Sequence, residues 1–258
     1  MTRTSDKPHY ASLPGEDELV LVTSVLGASA SWLAHAFLKE ALTAGERAVV
    51  FVSFTRDLGF HSECLRKLGI DLTAYGAKGR FTFVDGLSKL FSPSTPGPSS
   101  AAAGALSATG GIKGIMNGIT QAVRRLTAGS GKPLLILENP EFLSAALESV
   151  GVVEMGDMVM ELREISYGVI IMVNADSAFL QEPRTRLEID HTAFVINLSH
   201  SAAWTVGLRL LDTGIAKDVS GVIRVTRGVG DTSAEEKEVL YYVGDGAVEV
   251  FDRGQVRG

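Results

Sequence analysis

The sequence predicts an α/β domain: a doubly wound, mainly parallel sheet flanked by helices, with a C-terminal antiparallel meander. Three observations carry this. Apolar strand-like runs alternate with helical stripes from Leu19 to Val173, the order that builds a parallel sheet with helical crossovers. Val49-Val50-Phe51-Val52 and Leu134-Leu135-Ile136-Leu137 are apolar without alternation, as strands buried on both faces are. From Trp204 onward, short strand-like runs follow one another across Gly/Asp turns, the texture of a meander.

In chain order, residues 1–17 are polar and read as a flexible tail, leaving residues 18–258 as one domain. The first strand is placed at about Leu19–Val22. A loop of small residues follows, then a helix from Ser31 to Ala44 whose apolar stripe is Trp32, Leu33, Ala36, Phe37 and Leu42. Gly45 stops it. A second strand (Arg47–Phe54), a helix (Leu58–Leu68) and a third strand (Phe81–Val84) complete a βαβαβ order. Residues 92–111, rich in Pro, Ser and Ala, bury too little to offset ordering and read as an exposed, disordered insertion. A helix (Ile112–Thr127) and a central fourth strand (Pro133–Glu138) follow, with Asn139 as a helix N-cap and Pro140 in the first helical position. Helices at Glu141–Ser149 and Asp157–Glu164 lead to a fifth strand (Gly168–Val173), a polar loop (Ser177–Asp190) and a helix (His191–Ser201). The meander strands are Trp204–Leu210, Gly221–Thr226, Glu238–Tyr242 and Val248–Phe251.

Apolar residues make up 45% and charged residues 21%, enough for a substantial core. The formal net charge of -6 argues against autonomous nucleic-acid binding, which is usually basic, but leaves room for a local basic patch. The N-terminus has no apolar signal core, no run is long enough for a membrane span, and the single Cys64 fits a reducing compartment. The chain is therefore expected in the cytoplasm, with the nucleus as a second compartment, and away from membranes. Its five histidines show no metal-ligand spacing, so no metal site is expected.

The first strand, loop and helix have the layout of a phosphate-binding loop without its chemistry. Such a loop needs G-x-x-x-x-G-K-[ST]. Here Gly27 stands alone and no lysine appears before Lys39, so there is no functional Walker A. Gly27, Ser29 and Ser31 could still face a nucleotide through backbone N–H groups, or form a plain serine-capped turn. Glu138 ends a hydrophobic strand where enzymes of this shape orient magnesium or water; a helix-dipole contact explains it equally. Gly129-Ser130-Gly131-Lys132-Pro133 mimics a phosphate loop but precedes a strand, and Pro replaces the hydroxyl. Arg184 and Arg186 lie on a loop that could face the channel of a ring and touch RNA phosphates, or simply be solvated. Lys217 sits in a hairpin that could project to a neighbouring subunit, with Arg227 beyond it, or could merely seal the sheet edge.

Three stretches carry a family resemblance: the lysine-less strand–loop–helix at Leu19–Ala44, Leu134–Leu143 (LLILENPEFL), and Thr213–Val225 (TGIAKDVSGVIRV), the last being the most specific. Together they resemble the sixth subunits of the Elongator complex, of fungal type, over about Leu19 to Phe251 apart from the insertion. The resemblance implies a RecA-like fold without working Walker signatures. It implies a non-catalytic subunit that joins the fourth and fifth Elongator subunits in a heterohexameric ring and contacts the remaining subunits through the parent complex. That ring binds tRNA for wobble-uridine modification. No cofactor is required of this chain; ATP is allowed at ring interfaces, and the carboxymethyl chemistry falls to another subunit. Catalytic residues: none are carried over. Two alternatives stay open: an unorthodox NTPase sharing a site between neighbours through Glu138 and Lys217, and a RecA-like interaction module unrelated to RNA.

Overall fold

The computed structural model describes residues 9–45, 47–88, 90–91, 103–147, 149–212, 216–228, 237–244 and 247–252. Among the described residues the strands are β1 (Leu19–Ser24), β2 (Val49–Ser53), β3 (Phe81–Asp85), β4 (Ala103–Ala105), β5 (Leu134–Glu138), β6 (Val169–Asn174), β7 (Trp204–Arg209), β8 (Gly221–Arg227), β9 (Lys237–Val243) and β10 (Val248–Phe251). Its helices are α1 (Ser31–Ala44), α2 (Leu58–Lys67), α3 (Leu72–Ala77), α4 (Gly111–Ser130), α5 (Phe142–Ala146), α6 (Val152–Ile165), α7 (Ser177–Leu180) and α8 (Arg186–Ser201).

All strands join one sheet in the order β10-β9-β8-β7-β1-β6-β5-β2-β3-β4. From β7 to β4 the neighbours run parallel; β8, β9 and β10 are antiparallel. The unbroken apolar runs are explained by burial on both faces. Every residue of β2 and β5 is buried. One core lies under α4, α6 and α8 and a second under α1, α2 and α3.

Local chemistry sets the helix ends. Gly45 terminates α1 in the left-handed region at φ +81°. Asp57 caps α2 by accepting from Phe60 N at 2.8 Å.

The structure departs from the sequence reading in several places. Part of the expected tail, residues 9–17, is packed: Tyr10 meets Trp32 edge-on, Pro14 is buried, and Asp17 N donates to Tyr167 O at 2.7 Å. Residues 92–102 of the expected insertion lie outside the described residues, but 103–105 form strand β4 beside β3. Asn139 is not the N-cap of α5. It sits at φ +54°, where an N-cap is extended, and its side chain accepts from Thr55 Oγ1 and donates to Glu141. The polar loop is shorter than expected because Thr185 and Glu188 form a reciprocal capping box that starts α8 at Arg186. Finally, the meander begins with a strand, β7, that pairs parallel to β1; only the strands after it are antiparallel.

Candidate functional site

The C-terminal ends of the parallel strands form the crevice where α/β sheets place ligands. There, between β1, β5 and β6, lies a cavity of about 260 Å³ lined by Gly27, Ser29, Ser31, Glu138, Asn139 and Asn174, among others. The four residues expected to face a nucleotide are thus brought together.

The loop leading to α1 is closed on itself. Ala28 N donates to Val25 O at 2.9 Å, making a tight turn that puts Gly27 at φ +91°. Leu26 N donates to Asp176 Oδ1 at 2.7 Å, and Ser31 N to Ser29 Oγ at 3.3 Å. Three of the backbone donors that would cradle a phosphate, those of Leu26, Ala28 and Ser31, therefore already have partners within the protein. Ala30 precedes the helix and has no capping side chain, but Ser29 Oγ takes the N–H of the first helical residue, Ser31. Gly27→Ala is expected to cost about 1 kcal/mol or more, since alanine resists this φ and its Cβ would come within 3.3 Å of Leu210 Cδ1. Urea unfolding checks this; an unchanged midpoint would show that the turn tolerates a side chain.

Beneath the loop, Glu138 is 2% exposed. Ser53 Oγ donates to its Oε2 at 2.5 Å, and Ser31 Oγ reaches Oε1 at 3.5 Å. His61 Nε2 lies 3.3 Å from Oε2, close enough for strong attraction although the angle is too oblique for a full hydrogen bond. His61 Nδ1 in turn meets His35 Nε2 at 3.0 Å. With His35 donating, His61 carries its proton on Nε2, facing the carboxylate. Burial pushes Glu138 up, but His61 and Ser53 outweigh it and hold the carboxyl below the usual range. Burial, and then His61, lower His35 to about 4. Glu138 is thus locked into an internal relay across β5, β2, α2 and α1.

Nearby Glu141 accepts from Asn139 Nδ2 and Asn174 N, both at 2.9 Å, while its Oε2 is buried without a partner. Burial raises it to about 7. Among the described residues, no lysine or arginine lines the cavity. A phosphate there would meet Glu138 with no compensating cation on the lining. No group of three or more His, Cys, Asp or Glu among the described residues is placed to hold a metal.

The other expected residues scatter. Arg184 and Arg186 lie at the crevice end, exposed, each already paired: Arg184 with Glu182 at 2.9 Å and Arg186 with Asp190 at 2.7 Å. The Arg184 pair is exposed on both sides and therefore weak, so Arg184 stays available to a stronger anion, whereas Arg186 is tied to a largely buried Asp190. Lys217 is exposed in the β7–β8 connection, also at the crevice end; Thr213, Gly214 and Ile215 of that hairpin lie outside the described residues. Arg227 is at the opposite end of β8, its guanidinium 4.1 Å above the Trp204 ring, so it shares no surface with Lys217. Sequence reasoning missed Asp176, Asn174, Glu141 and the His35–His61 relay. His35 and His61 stand 26 residues apart and meet only because α1 packs on α2. Only the capping pattern Thr185-x-x-Glu188 had a local signal.

A ten-stranded sheet with a crevice-end loop between β1 and α1, lacking the phosphate-binding cation, defines a RecA-like domain without a Walker A lysine. Its architecture is similar to that of a KaiC-like protein from the hyperthermophilic archaeon Pyrococcus horikoshii, with a TM-score of 0.64 over 93% of this chain and 92% of that one at 16% identity. The sequence profile of the family described as Elongation complex protein 6 matches residues 9–244, and the chain belongs to that family. It is 26% identical to the Elongator complex protein 6 homolog of Schizosaccharomyces pombe, across 96% of each chain. Membership of the Elongator complex follows from the family. No helix among the described residues is long and apolar enough to cross a membrane.

Proposed function

We propose that the chain is a non-catalytic ring subunit. It assembles with the fourth and fifth Elongator subunits into a heterohexamer that binds tRNA during wobble-uridine modification, in the cytoplasm and the nucleus. One observation carries this reading: the crevice has a phosphate loop closed on its own hydrogen bonds, a buried acid and no cation on its walls. The same end exposes apolar tips, with Leu26 86% exposed, so it suits a protein neighbour better than a nucleotide. A head-to-tail contact through this face and another part of the neighbour closes into a ring if the rotation fits.

Co-expression with the two presumed partners should give one species with the native mass of a hexamer, binding tRNA. A chain that stays monomeric in that mixture overturns the proposal.

The reading as a shared NTPase has one supporting observation: Lys217 is exposed at the same end as Glu138. ATP would then sit between neighbours, with this chain's Lys217 reaching the next subunit. Yet a carboxylate held by Ser53 and His61 has little freedom to orient water. ATP turnover by the assembled ring is expected to survive Lys217→Ala; its loss would favour the shared site.

A further inference from the structure

The formal charge of -6 conceals a sorted distribution at the end of the sheet opposite the crevice. Each strand start under β5, β2 and β3 is preceded by a cation: Lys132, Arg47 and Arg80. These starts are laced together, since Val49 N donates to Arg80 O and Leu134 N to Ala48 O, each at 2.9 Å, and Arg80 Nη2 reaches Arg47 O at 3.2 Å. Neighbouring strands lie about 4.8 Å apart, so the three residues follow one another along this end of the sheet. On one side of the row, α2 ends in exposed Arg66 and Lys67, and Lys78 follows α3. On the other side, α4 exposes Arg124 and Arg125.

Two tyrosines lie within this patch. Arg47 stacks 3.4 Å from the Tyr167 ring centroid, and Lys78 and Arg80 each lie 5.8 Å from that of Tyr75. The acids of the region are few and occupied: Asp71 caps α3 and Glu63 pairs with Lys67, while Glu46 lies outside the described residues. Under β1 and β6 the sign reverses at Glu16, Asp17, Glu18 and Glu164. Helix C-termini favour cations, which accounts for Arg66 and Lys67. It does not account for the row at the strand starts, nor for Arg124 and Arg125, which precede the last turn of α4.

We infer that this end of the domain is an RNA-binding surface that takes the phosphate backbone of a folded RNA. The inference rests on the tRNA reading above and assigns the contact to the end remote from Arg184 and Arg186. RNA is favoured over an acidic protein because none of the large exposed hydrophobic side chains among the described residues lies in this patch. Protein interfaces have an apolar centre, whereas nucleic-acid interfaces are polar and positive. Phosphate contacts carry no sequence code, so the surface recognises shape and charge.

The test uses the ring assembled with its partner subunits. Its affinity for a tRNA transcript is measured against salt concentration, for the parent and for a variant carrying Arg66→Glu, Lys78→Glu, Arg124→Glu and Lys132→Glu. All four side chains are exposed, so the fold and native mass should be unchanged. The variant is expected to bind about tenfold or more weakly, with a salt slope smaller by roughly three, equally for unrelated tRNA sequences. Unchanged affinity and slope, with a parent ring that binds tRNA, overturn this inference alone. A parent ring that does not bind tRNA overturns the functional reading and the inference with it. Retained tRNA affinity with loss of another Elongator subunit would assign the patch to an acidic protein and overturn it equally.

Discussion

Replacing His61 with alanine is expected to lower the stability of the fold by about 3 kcal/mol, because it strips a buried carboxylate of a partner. His61 is fully buried, 3.3 Å from Glu138, and packs edge-on against Phe51 with ring centroids 4.7 Å apart. Alanine would leave a cavity as well as a poorly paired charge. For a domain of this size the loss corresponds to a fall of about 10 °C in Tm. His61→Phe refills the space without restoring the partner and should recover only part of it. Removing both partners of the contact with Glu138→Gln and His61→Gln should cost less than the sum of the single changes. Thermal unfolding of these variants decides. A His61→Ala loss within about 0.5 kcal/mol, the range of ordinary surface substitutions, would mean that the relay contributes nothing.

The same groups set a pH dependence whose sign follows from linkage. His35 is lowered to about 4 in the fold, so between its ordinary 6.5 and 4 the unfolded chain takes up a proton that the folded chain refuses. Stability therefore falls as pH drops through that window. Glu138, also held low, contributes stability above the ordinary carboxyl value and loses it as pH falls through its folded value. Glu141, raised to about 7, acts in the opposite sense: its contribution is complete below 4.5 and disappears as pH rises through 7. His35→Gln should flatten the acid limb and Glu141→Gln the neutral limb. Unfolding midpoints measured from pH 4 to pH 8 would reveal both; parallel curves for all three proteins would refute the assignment.

The second large effect concerns assembly. Leu26→Asp is expected to weaken association with the partner subunits by about 30- to 100-fold while leaving the isolated fold unchanged. Leu26 is 86% exposed at the tip of the closed loop, and the next residue, Gly27, backs onto Leu210, which is itself 42% exposed. Burying one leucine contributes about 2 kcal/mol, and placing a carboxylate in a dry contact adds to the loss. Native mass across a dilution series reads the effect, with the unfolding midpoint as the control. A hexamer that persists at the parent's dilution would place the interface elsewhere.

Most of the fold was legible because long-range order in a parallel sheet leaves a local trace. Strands buried on both faces must be apolar throughout, so Val49–Ser53 and Leu134–Glu138 stand out in the sequence. Gly45 marked the end of α1 because only glycine takes φ +81° there without strain. Short elements were less visible. Helix α3, with six residues, and strand β4, with three, owe their state to neighbours and have no period of their own.

The candidate site divides along the same line. That the loop after β1 lacks a phosphate-gripping lysine is a fact of composition at a known place in a strand–loop–helix, and the sequence by itself determined it. The pairing of Glu138 with Ser53 and His61, the capping of the loop by Asp176, and the gathering of cations beneath β5, β2 and β3 join residues from separate elements. Only the tertiary structure decided them. Electrostatic attraction and hydrogen bonding act over a few ångströms of space, and separation along the chain says nothing about those distances until the elements are packed.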